Sequence, residues 1–83
     1  MKTVWLAINK ESNEIKVHKF AETARTTVFW WVMNEFVEDN AELPEAERFS
    51  EEHLMEEANE EVIQAEETPW LSRYSIIEMK VED

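Results

Sequence analysis

ETARTTVFWWVMNEFVE, residues Glu22–Glu38, is where the chain changes period, and that change decides the fold. Before it apolar residues alternate; within it they recur at helical spacing. Projected at 100° per residue, Ala21, Ala24, Val28, Val32 and Phe36 fall on one stripe with Phe29 beside it, as in a helix lying on a sheet. Trp30, Met33 and Val37 form a second stripe on the opposite side, and Trp31 flanks the first. A helix apolar on two sides is expected between the sheet and another element, with Val28–Met33, VFWWVM, at the centre of the core.

Upstream, Lys2–Asn9 reads as a central strand, with Val4, Leu6 and Ile8 on one face and Thr3, Trp5 and Ala7 on the other. KESN at 10–13 is a turn signal, and Asn9 and Asn13 can supply the left-handed conformation usually left to glycine. Glu14–Phe20 alternates again, and we expect Ile15 and Val17 to point inward and Lys16 and His18 outward, completing a hairpin.

Downstream, Asn40–Phe49 is a connection, because Pro44 cannot continue a helix and disfavours helical geometry at Leu43. A short turn can start from Pro44. Ser50–Glu67 follows as a second helix, capped by Ser50, with Leu54, Met55, Ala58, Val62 and Ala65 on its apolar stripe. Thr68-Pro69 ends it. Arg73–Glu82 alternates as a third strand, placing Tyr74 and Ile76 with Trp5 and Ala7 on the outer sheet face. The expectation is one small α+β domain over residues 1–83, ordered ββααβ, with a three-stranded antiparallel sheet of order 2-1-3 packed on two helices.

Charge is distributed unevenly along this plan. Of the 20 acidic residues, 14 lie between Glu35 and Glu67, where Arg48 is the sole Lys or Arg, and the chain carries −12 overall. Eighteen of the acids are glutamate, a better helix former than aspartate. Glu52, Glu56, Glu60 and Glu67 form the stripe opposite the apolar face of the second helix, with Glu57 at its margin. Like charges at i, i+4 cost roughly 0.2–0.5 kcal/mol per pair. The negative charge opposes direct binding to nucleic acid or to an anionic membrane and favours a basic protein surface.

Catalysis and cofactors find little support. Glycine is absent, which removes the nucleotide-cradling loops, and there is no cysteine for a disulfide or thiolate site. His53 with Glu57 lacks the paired Glu-x-x-His helices of a diiron site, and Glu38–Glu42 lacks the ligand series of a calcium loop, so no metal site is expected. Ser50, Ser72 and Ser75 have no nucleophile context, and His18 reads as a solvated strand residue. We expect no enzyme activity and no cofactor. No apolar run reaches the ~20 residues of a membrane span or forms a secretory leader, so a cytoplasmic protein is expected.

Two functional expectations result. The first is an inhibitor or regulator of a basic nucleic-acid-binding protein, working by phosphate mimicry through Glu52, Glu56, Glu57, Glu60 and Glu67. In type it resembles the small acidic inhibitors that phages encode against host defence or transcription, with no motif that assigns a family. The second is a structural or adaptor module, homodimeric through Trp5, Tyr74 and Ile76 on an uncovered outer sheet face.

Overall fold

The computed structural model describes residues 2–82. Strand β1 (Lys2–Asn9) turns back into β2 (Glu14–His18) through a glycine-free loop. Asn13 takes the left-handed conformation with φ of 62°. Asn9 stays in the strand and instead lends its side chain, whose Oδ1 accepts from the backbone N–H groups of Glu11 (3.1 Å) and Ser12 (3.3 Å). Helices α1 (Ala21–Glu42) and α2 (Glu51–Glu67) follow, then β3 (Tyr74–Val81). The sheet is antiparallel with order β2-β1-β3, so the ββααβ arrangement read from the sequence is the one found.

α1 runs beyond Glu38 to Glu42, because nothing before Leu43 opposes helical geometry. Leu43 is extended ahead of Pro44. The guanidinium of Arg48 then closes the helix end, donating to the Leu43 and Ala41 carbonyls at 2.9 and 3.2 Å. A short 3-10 turn, Glu45–Glu47, does begin after Pro44. Asn40 fastens the returning chain: its Oδ1 accepts from the Phe49 N–H at 2.8 Å and its Nδ2 donates to the Phe49 carbonyl at 3.1 Å. α2 starts where the sequence places it, with Ser50 Oγ accepting from the His53 N–H.

The faces of the sheet are the reverse of the expectation. Ala7, Tyr74 and Ile76 lie under the helices, with Tyr74 1% and Ile76 3% exposed, and Trp5 packs against the same core. They therefore do not form an outer interface. Val4, Leu6 and Ile8 point to the other side, joined across the register by Ile15 and Val17 of β2 and by Ile77 and Met79 of β3. No helix covers that side: Ile15 is 57% and Val17 64% exposed. Large aromatic rings decide the orientation. Burying Trp5 and Tyr74 removes more apolar area than burying the aliphatic residues of the opposite face, and Trp31 stacks on Tyr74 with ring centroids 6.3 Å apart. Ala7 leaves room for the helices, and His18, turned inward, places Nε2 2.8 Å from Thr27 Oγ1.

The two helices lie side by side on the sheet, and α2 touches both α1 and β3. Ala24, Val28, Val32 and Met33 of α1 meet Leu54, Ala58, Val62 and Ala65 of α2 in the core. α1 is not sandwiched. Trp30 and Val37 of its second stripe are consequently exposed, as is Met55 of α2. Glu35 ties the layers together, accepting from Arg73 Nη1 at 2.6 Å and from the Tyr74 hydroxyl at 2.9 Å. The molecule is elongated, 55 × 22 × 19 Å, with a radius of gyration of 14.4 Å. A compact chain of this length would give about 12 Å.

Candidate functional site

The serine cap fixes the phase of α2, and its buried stripe turns the remaining side outward. Glu52, Glu56, Glu57, Glu60 and Glu67 are all exposed there. The structure thus brings together the five carboxylates expected from the sequence. Four residues of helix rise about 6 Å, so Glu52, Glu56 and Glu60 form a regular ridge.

Counter-charges lie elsewhere. Lys16 pairs with Glu14, Arg25 with Glu66, and Arg73 with Glu11 and Glu35, none of them a ridge carboxylate. Arg25 holds Glu66 at 2.6 Å across the seam between the helices, and the hydrogen-bonded carboxylate raises the Arg25 pKa above its ordinary value. Arg73 is raised in the same way by its hydrogen bond to Glu35. Burial alone would push the Glu35 carboxyl up; the hydrogen bonds from Arg73 and Tyr74 outweigh it and hold Glu35 below the usual range. Burial, reinforced by Glu35, drives the Tyr74 hydroxyl well above its ordinary value. Among the described residues, Glu57 is the one ridge member within 4 Å of a potentially cationic group, His53 Nε2 at 3.8 Å, which is charged only when protonated.

The acidic surface extends past the predicted ridge. Glu38, Asp39 and Glu42 project from the last turns of α1, and Glu45, Glu47 and Glu51 follow around the connection, all exposed. The C-terminal end of a helix carries partial negative charge and favours cations, yet the last turn of α1 has no basic residue. That mismatch is readable from sequence once the helix is known to reach Glu42. Ile63, 54% exposed, is an apolar member of the outward side of α2. The 100° projection places it between Glu52 and Glu56, where the glutamate count hid it.

Beside the start of α2 a cleft of about 370 Å³ is lined by Phe36, Leu43, Phe49 and Leu54, with Asp39 and Glu57 also contributing. Phe49 and His53 stack along it with ring centroids 4.8 Å apart. Apolar walls with exposed carboxylates match a lysine or arginine side chain, whose stem is apolar and whose head is cationic. Carboxylates offer hydrogen-bond acceptors, so the arrangement can take hydrogen bonds from cationic side chains.

Trp5, Tyr74 and Ile76 have no part in an exposed site, for the packing reason given above. No known protein family, curated protein or solved structure matches the chain. Among the described residues, no helix is long and apolar enough to cross a membrane.

Proposed function

We propose that this protein is a non-enzymatic inhibitor or regulator that occupies the basic, nucleic-acid-contacting surface of another protein. The observation that carries the proposal is the exposed carboxylate ridge of α2, beside which Lys16, Arg25 and Arg73 pair with other acids and Arg48 with backbone carbonyls. Ionised carboxylates at ~6 Å intervals offer a partner's lysines and arginines a row of charge like that of phosphates along one strand. Arginine pairs well with either group through its planar fork. The elongated body, 55 Å by about 20 Å, suits a groove that otherwise accepts a nucleic-acid segment. Binding is competitive: the partner holds this chain or its nucleic acid, and the chain itself binds neither nucleic acid nor membrane. Association is fast and weakens with salt. A cytoplasmic regulator of the phage-encoded type fits this chemistry.

Immobilised protein should capture nucleic-acid-binding proteins from a lysate and release them on addition of duplex DNA or RNA, or in a moderate salt gradient. Changing Glu52, Glu56 and Glu60 together to Lys should reduce capture at least tenfold with the circular dichroism spectrum unchanged. Equal capture by the triple variant, or bound proteins that nucleic acid does not displace, would overturn the proposal.

A further inference from the structure

We infer that the uncovered side of the sheet is the contact between two copies of this chain, packed back to back. The face is apolar and continuous: Leu6 sits between Val17 and Ile77 in the register, and Val4 lies beside Met79. Strand alternation places every sheet carboxylate, Glu14 and Glu78 included, on the other side, and Lys2 is the one charged strand residue on this face.

Charge layout selects a second copy as the occupant. Two chains at −12 repel each other in most orientations, but among the described strand residues this face carries no acid, and it lies opposite the helices. Stacked sheets are about 10 Å apart, and each helix layer adds a similar thickness. Back-to-back packing therefore leaves the two carboxylate ridges roughly 40 Å apart, several times the ~8 Å screening length of physiological salt. Shape agrees with charge, since two identically twisted sheets pack face to face at about −30° and a two-fold axis makes the patch its own complement.

Area sets the strength. β1 and β3, of eight residues each, span about 26 Å and the five-residue β2 about 17 Å, so pairing two faces buries on the order of 700 Å² in total, the size of a weak, transient interface. The loop bearing Trp70 and Leu71, 72% and 78% exposed, is tethered at one corner of the face, where Ser75 Oγ donates to the Pro69 carbonyl at 3.1 Å. The dimer is thus weak and concentration-dependent, and it rests on the sheet alone, independently of what the ridge binds.

Sedimentation equilibrium of the purified chain, from about 1 to 200 µM, tests this. The apparent mass should rise from one chain to two, and association should strengthen several-fold between low salt and 300 mM NaCl, as the residual repulsion is screened. Val17→Glu and Met79→Glu, each at an exposed position on the face, should hold the protein at the mass of one chain at every concentration. Trp30→Glu, on the helical side, should leave association unchanged. A single-chain mass throughout would show that any occupant is a different molecule and overturn the inference. So would a dimer that survives Val17→Glu and Met79→Glu, which would point to edge-to-edge strand pairing.

Discussion

The two sides of the sheet share the same three strands and differ in what each residue meets. On the helical side Tyr74 is enclosed on its ring by Trp31 and satisfied at its hydroxyl by Glu35. On the other side Val17, two strands away, meets solvent. A strand position therefore says little about its contribution until the covering layer is known. The same contrast separates the acids: Glu35 is embedded in donors, whereas Glu56 has none among the described residues.

The widest separation comes from truncating the ring. Tyr74→Ala should cost about 3–5 kcal/mol, enough to unfold much of a population whose total stability is of the order of 5–15 kcal/mol. Val17→Ser on the open side should stay within about 0.5 kcal/mol at dilute concentration, where no second copy covers it. Urea midpoints read both. Equal losses at the two positions would mean that the sheet is covered on both sides in the monomer.

Next in size is the charge inside the helical layer. Glu35→Gln should cost about 1–2 kcal/mol at neutral pH, because Arg73 and Tyr74 lose a charged acceptor. Its pH dependence has a definite sign. The folded pKa of Glu35 lies below its ordinary 4.5, so its contribution is full above that value and disappears as pH falls through the folded pKa. The stability gap between the native chain and Glu35→Gln should be constant from pH 7 to about 5 and close below pH 4. A gap that widens on acidification would contradict the hydrogen-bonded arrangement.

The smallest effect belongs to the ridge. Glu56→Gln should leave stability unchanged or raise it by a few tenths of a kcal/mol, since it removes repulsion with Glu52 and Glu60 and breaks no ion pair. Adding 300 mM NaCl should narrow that gain by screening. A loss of 1 kcal/mol or more would reveal a stabilising partner for Glu56. Such results would place stability and the proposed recognition on different carboxylates of one small protein.

Element order was legible because it depends on period and on a few punctuating residues: the alternation through Ile8, the helical recurrence from Ala24 to Phe36, the cap at Ser50 and the break at Pro69. Strand order followed from the apolar character of both faces of β1, which a central strand needs. Which face turns inward was not legible. β1 is apolar on both sides, and β2 advertises Ile15 and Val17 as the buried pair; only the tertiary demand of Trp5, Tyr74 and Ile76 for cover reverses them. The ridge was legible because a helix phase fixed by Leu54, Ala58 and Val62 fixes the opposite side as well. The Asn40 clamp on Phe49 was not, since nothing in local pattern foretells a side chain pairing with backbone nine residues on.

That clamp also bears on how the ridge would meet the proposed partner. α2 is pinned near both ends by side chains from α1, through Asn40 at Phe49 and through Arg25 at Glu66. A rod about 25 Å long, held at two points, cannot swing to follow its target. The rotational freedom that a loose helix would surrender on docking is already spent in folding, which leaves only glutamate rotamers to be ordered at contact. Such a surface favours partners whose cations are already set at helical spacing and discriminates against those that must rearrange to reach it.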